Sequence, residues 1–306
     1  GKQVSVAGRI LSKRGMGKAG FIDIQDQNGR IQSYVRKDHL GDEEYEWFKK
    51  YDIGDIIGIK GEVFRTQKGQ ISVKADEVKL LSKSLLPLPE KWHGLRDTEL
   101  RYRQRYVDLI VNPDVKKAFV MRSKFIRHMR NYLDERGYIE VETPVLNTIA
   151  GGAAARPFIT HHNTLDLDMY MRIATELPLK SLIIGGMDRV YEIGRIFRNE
   201  GMDTKHNPEF TTVELYQAYA DFHTMMDIAE GILSSAAMEL HGSYQVEWLG
   251  ETVDLTPGWR RLTMVDAVKE YAGVDFGAIS DDAQAVEAAK AIGVELPEAA
   301  EKIDAG

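Results

Sequence analysis

The chain has 306 residues, 43% hydrophobic and 28% charged, the composition of an ordinary globular protein with room for about two domains. It has no cysteine, which excludes disulfides and cysteine-ligated zinc and fits a reducing cytoplasm. No apolar run approaches the roughly 18–20 residues that a membrane helix needs. The net charge of −7 argues against indiscriminate nucleic-acid binding, but it is uneven. Residues 1–85 carry 16 Lys+Arg against 12 Asp+Glu, and residues 86–306 carry 24 against 35, so the N-terminal part is suited to meet a polyanion.

In chain order, residues 1–85 read as short strands. Val4, Val6 and Ile10 open the first. Residues 20–25 alternate apolar and polar, the period of a half-buried strand. Asn28-Gly29 is a hairpin turn signal, after which Ile31, Ser33 and Val35 alternate with Gln32, Tyr34 and Arg36. A helical stretch covers about 42–50, and two more strands surround 56–63 and 70–81. Three strands, a helix and two strands is the order of an OB-fold barrel.

Residues 86–113 are expected to be a linker or hinge. Leu85-Leu86-Pro87-Leu88-Pro89 is too proline-rich for a regular element. Arg96, Arg101, Arg103 and Arg105 make either a solvated helix face or a surface that touches RNA. Then comes an amphipathic helix with Val115, Ala118, Phe119, Phe125, Ile126, Met129, Tyr132 and Leu133 mostly on one stripe, ended by Gly137. Strands are predicted at 138–142, 165–172, 189–197 and 209–219, and helices at 224–241 and 280–303.

Phosphate-binding glycine loops are absent: neither G-x-x-x-x-G-K-[ST] nor a strand-anchored G-x-G-x-x-G occurs. His161-His162 reads as a polar strand end rather than a metal site, since no cysteine accompanies it. The specific signal is Phe197-Arg198-Asn199-Glu200-Gly201 followed by His206-Asn207-Pro208-Glu209-Phe210, bracketed by strands as an antiparallel hairpin. It resembles motif 2 of class II aminoacyl-tRNA synthetases, and Arg136-Gly137-Tyr138 with Pro144 resembles their motif 1. The stretch Gly151–Phe158, Thr160–Asn163, Leu165–Tyr170 and Glu214-Leu215-Tyr216 narrows the likeness to lysyl-tRNA synthetases of bacterial type, as does Tyr102–Tyr106. The resemblance runs from Val4 to about residue 280. Lys205 and Ala150 stand where relatives often have Arg and Pro.

The resemblance implies an α+β chain: an N-terminal OB-fold barrel (1–85) that binds an anticodon, the linker (86–113), and a partial class II catalytic domain with an antiparallel sheet (114–306). It implies the joining of lysine and ATP to lysyl-adenylate and transfer of lysine to tRNA(Lys), in a cytoplasmic homodimer that needs no membrane. Arg198 would bridge the lysine carboxylate and the α-phosphate, since a guanidinium fork can hold two anionic oxygens together. Glu200, His206, Asn207 and Phe210 would hold ATP, with adenine stacked on Phe210. Gly152, Glu176, Glu214 and Tyr216 would hold lysine, whose two ammonium groups must each be matched on losing water. Phe119, Ile126, Val141 and Pro144 are candidates for the twofold surface of motif 1. Motif 3 and the carboxylates for Mg²⁺ are not found; by this likeness they belong beyond residue 306, no metal ligand lies within the chain, and the chain alone is expected to be a nearly inactive fragment with a mid-protein start.

On the barrel, Ile22 and Ile24 should face the core, turning Phe21, Asp23 and Gln25 outward, with Gln32 and Tyr34 beside them. An exposed Phe asks for something to stack on it, and unpaired bases need an aromatic ring and an amide. By the resemblance, Phe21 and Gln32 read the central anticodon uridine, with Arg14 and Glu77 as further contacts. Aspartyl and asparaginyl relatives share this architecture, but they need cationic groups where Glu176, Glu214 and Tyr216 suit a diamine. A non-catalytic RNA-binding descendant is argued against by the intact Arg198, Glu200, His206 and Phe210.

Overall fold

Alternating isoleucines and valines close the first five strands into a barrel. These are β1 (Gln3–Arg14), β2 (Ala19–Gln25), β3 (Arg30–Arg36), β4 (Ile56–Arg65) and β5 (Ile71–Ser82), in the order β1-β2-β3-β5-β4. Two helices, α1 (Lys37–Leu40) and α2 (Asp42–Lys49), intervene after β3. That crossover is what lets β3 and β5 run parallel while every other pair is antiparallel. Ile10, Ile22, Ile24, Val35, Ile57, Ile59 and Val73 fill the interior, and Tyr45 and Phe48 of α2 join them. Each such fully buried side chain stabilises the fold by roughly 1.5–3 kcal/mol.

The computed structural model describes residues 1–15, 17–89, 95 and 97–295. It divides the chain into two compact units, Gly1–Val120 and Met121–Gly306. In the first unit, α3 (Thr98–Arg103) and α4 (Arg105–Val111) follow the barrel. Asp97 caps α3 by accepting from the Leu100 amide at 2.7 Å. Asp108 is fully buried, receives Arg101 Nε at 2.9 Å and Asn112 Nδ2 at 2.6 Å, and also pairs with Arg105. Arg103 pairs with Glu99. Three of the four linker arginines therefore serve local ion pairs; Arg96 lies outside the described residues.

The second unit is built on α5 (Pro113–Asp134), which begins in the first unit. Then follow β6 (Ile139–Glu140), β7 (Leu146–Asn147), β8 (Ile159–His162), β9 (Leu167–Met171), α6 (Glu176–Ile184), β10 (Arg189–Phe197) and β11 (Glu209–Gln217). α7 (Phe222–His241), β12 (Gln245–Trp248), β13 (Glu251–Asp254), α8 (Met264–Ala272) and α9 (Asp282–Ala291) complete it. β10 and β11 form a long antiparallel pair, and β6 adds two residues parallel to β10. Strand alternation gives this sheet two different faces. Tyr191, Ile193, Val213 and Leu215 pack on Met129 and Leu133 of α5 and Ile228 and Ile232 of α7. Glu192, Gly194, Phe210, Glu214 and Tyr216 share the other face, because their register pairs are direct.

Several elements differ from the sequence reading. The strand expected at 138–142 pairs only through Ile139–Glu140. The strand expected at 165–172 starts at Leu167, after a turn in which Asp166 takes φ +49°. The apolar stripe of α5 is buried only in its second half: Met129 and Leu133 are inside, whereas Phe119 is 48% exposed. α9 ends at Ala291, and 296–303 of the helix expected at 280–303 lie outside the described residues. The β12–β13 hairpin and α8 were not predicted.

Candidate functional site

The β10–β11 hairpin carries one polar constellation. Glu214 Oε1 accepts from the Thr175 amide at 3.2 Å, and its Oε2 accepts from the Tyr216 hydroxyl at 3.3 Å. Burial, then the charges of Glu214 and Glu176, push the Tyr216 phenol far above its usual range, so it remains a protonated donor. Glu176 opens α6, and its Oε1 accepts from Lys180 Nζ at 2.6 Å. The same ammonium stands 5.8 Å from the centroid of the Tyr216 ring. Two carboxylates and a phenolic donor thus meet near one lysine cation that the chain itself supplies.

Gly152 faces this group from the preceding loop. Its φ is +87°, and a Cβ there would come within 3.1 Å of Ala174 Cβ and 3.3 Å of Glu176 Cβ. Backbone is what this position can offer. Next to it, Gly151, Tyr170, Ile173 and Leu177 help line a cavity of about 240 Å³.

Further along the same face, Arg172 occupies the space that the missing side chain of Gly194 leaves. Its Nη2 lies 2.3 Å from where a Cβ of Gly194 would be. Arg172 and Glu192 form a buried ion pair at 2.5 Å, each side chain 5% exposed. Arg172 Nε also donates to the Arg195 carbonyl at 2.8 Å, and Thr143 Oγ1 donates to Glu192 at 2.6 Å. Such a fully bonded pair fixes the strand that carries the site, and removing one partner would leave a buried charge.

At the far end of the hairpin, Arg198 is half-buried. Its Nε and Nη2 reach the Ile173 carbonyl at only 3.4 and 3.5 Å, and its guanidinium sits 5.3 Å from the centroid of the Phe210 ring. Bonds that long are weak, which leaves the fork available to anionic oxygens. Glu200 is exposed and accepts from the Arg156 amide at 3.2 Å. His206 and Asn207 are exposed in the loop. His206 Nδ1 meets Asp203 Oδ2 at 2.7 Å, and Asp203 also takes the Lys205 and His206 amides. The hydrogen bond from His206, then those two amides, hold the Asp203 carboxyl below its usual range. His161 pairs with Asp168 on β8–β9, as a polar strand end does.

The barrel carries the second expected site. Phe21 and Tyr34 are register partners with ring centroids 4.7 Å apart, and Tyr34 lies 6.3 Å from Phe64. Phe21 is therefore half-buried against a neighbouring ring rather than bare. Asp23 does not turn out to solvent as expected: it is 5% exposed, held by Ser12, by Arg30 Nη2 at 2.6 Å and by Arg14 Nη2 at 3.3 Å. Burial would raise its carboxyl, but the bonds from Ser12 and Arg30 and the two cations prevail and lower it. Gln32, opposite Asp23, is 8% exposed. Glu77 is paired with Lys60 at 2.8 Å, beyond a bulge that separates it along β5 from Lys74, the register partner of Tyr34.

Sequence reasoning did not find Arg172, Lys180, Asp203 or Ser72, whose hydroxyl donates to Gln32 Oε1 at 3.2 Å, as parts of these sites. Only the four-residue spacing of Glu176 and Lys180 on a helix gave a readable signal.

Comparison with known proteins adds three findings. Residues 97–300 match the family model of class II tRNA synthetases (D, K and N), and residues 4–81 match that of the OB-fold nucleic acid binding domain. A lysine–tRNA ligase of Thermoanaerobacter sp. is 59% identical over 302 residues, covering 99% of this chain and 60% of that protein. Those of Syntrophomonas wolfei and Lysinibacillus sphaericus are 60% and 59% identical, covering 97% and 96% of this chain. The chain thus spans about three fifths of the length of these relatives.

Proposed function

Because the chain belongs to the class II tRNA synthetases (D, K and N), we propose that the whole protein is a lysine–tRNA ligase. It joins lysine to ATP as lysyl-adenylate, releasing pyrophosphate, and passes lysine to the terminal ribose of tRNA(Lys). The observation that carries the choice of substrate is the group Glu176, Glu214 and protonated Tyr216 beside Gly152. It matches two ammonium groups and repels the carboxylate of aspartate.

In this reading Glu176 and Glu214 hold the α-ammonium, with the Gly152 backbone beside it, and Tyr216 lies near the ε-ammonium. Glu214 and Tyr216 are two residues apart on β11, so both side chains lie on one strand face. Arg198 bridges the lysine carboxylate and the α-phosphate, easing the repulsion of two anions while the carboxylate oxygen attacks phosphorus. Phe210 stacks adenine, and Glu200, His206 and Asn207 hold the rest of ATP. Mg²⁺ neutralises phosphates in sites of this kind. Among the described residues no three His, Cys, Asp or Glu side chains gather as a metal site, and no step here runs through Mg²⁺.

The barrel, 1–85, reads the anticodon through Phe21 and Gln32, with Arg14 and Glu77 as lesser contacts; 86–113 is the linker and 114–306 the catalytic part. Assembly is as a homodimer in the cytoplasm, supported by the exposure of Phe119 at 48% and Ile139 at 52% near motif 1, with Ile126, Val141 and Pro144 contributing. Sedimentation of the full-length protein as a monomer at micromolar concentration would remove the dimer. The function itself is tested by ATP–pyrophosphate exchange on the full-length protein with lysine, aspartate and asparagine in turn. Lysine alone should support exchange. Exchange with aspartate or asparagine would reassign the substrate, and no exchange with any of them would leave an RNA-binding protein without catalysis.

A further inference from the structure

The short segment 172–176 meets the groups proposed to hold the carboxylate and the α-ammonium of lysine. The Ile173 carbonyl lies 3.4 and 3.5 Å from Arg198 Nε and Nη2, and Ala174 Cβ lies 3.1 Å from where a Cβ of Gly152 would be. The Thr175 amide donates to Glu214 at 3.2 Å, and Glu176 ends the segment as the first residue of α6. Arg172 anchors its start. The Arg172 amide donates to the Val145 carbonyl at 2.8 Å, and its carbonyl accepts from the Phe197 amide at 3.0 Å. Its buried guanidinium donates from Nη1 to Glu192 and to the Thr143 carbonyl at 3.0 Å, and from Nε to the Arg195 carbonyl at 2.8 Å. Thr143 Oγ1 accepts from the same Nη1 at 3.2 Å and donates to Glu192.

A single cation would suffice to pair with Glu192. A flat fork does more, because it joins the carboxylate and the carbonyls of separate segments at fixed angles. Arg172 thereby ties the loop between β6 and β7, which holds Thr143 and Val145, to β10, and ties the start of 172–176 to both. Gly194 makes the room: Arg172 Nη2 lies 2.3 Å from where its Cβ would be. Gly194 has no positive φ, so its missing side chain answers to the guanidinium and not to backbone strain. We propose that Arg172 is a positioning residue for adenylation: it holds 172–176 at the place on the sheet where Arg198, Glu176 and Glu214 face one lysine. This rests on the reading of those three residues as lysine ligands. The Arg172 side chain is 5% exposed and acts through the segment it anchors.

The test is ATP–pyrophosphate exchange by the full-length protein. The KM for lysine, the KM for ATP, kcat and Tm are measured for Arg172→Lys, Gly194→Ala and the double variant. Arg172→Lys keeps a cation for Glu192 and loses the fork. Gly194→Ala keeps the fork and pushes it aside. Each should lower kcat/KM for lysine about tenfold or more, the scale of one hydrogen bond to a charged group. The KM for ATP should stay within about twofold, because Glu200, His206 and Phe210 lie off the segment. With Arg172→Lys in place the alanine methyl meets no Nη2, so adding Gly194→Ala should cost less than about twofold. Thr143→Val removes one hydroxyl at constant shape and serves if Arg172→Lys does not fold. It should lower kcat/KM for lysine about fivefold, and Thr143→Ser should restore it. A lower Tm with native lysine kinetics, or an equal rise of both KM values, would make Arg172 a structural residue and end the proposal. So would a cost of Gly194→Ala that is the same with Arg172 and with Arg172→Lys. Glu214→Gln is run beside them: if it leaves the lysine KM unchanged, the reading of the lysine site fails and the proposal falls with it.

Discussion

The Tyr216 hydroxyl donates to Glu214 Oε2 at 3.3 Å, two residues back along the same face of β11. The bond orders the two polar groups that β11 brings to the proposed lysine site. Tyr216→Phe removes the hydroxyl and keeps the ring. We expect the lysine KM to rise about tenfold in exchange with kcat less affected, since the loss is one hydrogen bond in ground-state binding. An unchanged KM would take Tyr216 out of the lysine site.

Gly152→Ala puts a side chain where φ is +87° and where Glu176 Cβ would lie 3.3 Å away. Positive φ costs an alanine about 1–2 kcal/mol. The strain and the push on Glu176 should together raise the lysine KM tenfold or more. An alanine variant with native kinetics would show that the loop has room and that the position is not a tight backbone contact.

Asp55 is fully buried and accepts from the Asp52 amide at 2.8 Å, the Ser84 amide at 2.7 Å and Lys83 Nζ at 3.0 Å. Burial raises its carboxyl, but the two amides and Lys83 prevail, so its folded value lies below the ordinary 3.8. A depressed folded value means that the stabilisation is fully present above the ordinary carboxylate range and is lost as pH falls from that range through the lower folded value. Asp55→Asn should destabilise the barrel by about 2 kcal/mol at neutral pH, the scale of a charged hydrogen bond. The Tm gap to wild type should then close as pH drops below about 4. A gap that is constant from pH 7 to pH 3 would mean that the charge contributes nothing.

The barrel was legible because its strands alternate on one residue in two and because Asn28-Gly29 marks the first hairpin. The hairpin that carries Arg198 and Phe210 was legible for the same reason, with motif 2 at its turn. Asp23 was misread because alternation predicts the face and not the depth: a carboxylate on an outer face sinks once Ser12, Arg14 and Arg30 close over it. Arg172 stayed hidden because its space is made by Gly194, 22 positions later in the sequence and joined to it only through the fold. Ser72 stayed hidden likewise, since its link to Gln32 spans 40 residues and depends on the β3–β5 crossover.

The central claim is a division of labour, adenylate chemistry on the β10–β11 hairpin and tRNA reading on the barrel. It is tested most directly by measuring lysine-dependent pyrophosphate exchange and aminoacylation side by side on Arg198→Ala and Phe21→Ala of the full-length protein. Arg198→Ala should lose about 10²-fold or more in kcat/KM of both reactions, and Arg198→Lys should rescue little, because a point charge cannot bridge as a fork does. Phe21→Ala should lose about 5- to 150-fold in aminoacylation, the worth of one stacked base, with exchange nearly unchanged. Exchange within threefold of wild type in Arg198→Ala, or equal damage to both reactions in Phe21→Ala, would contradict the account.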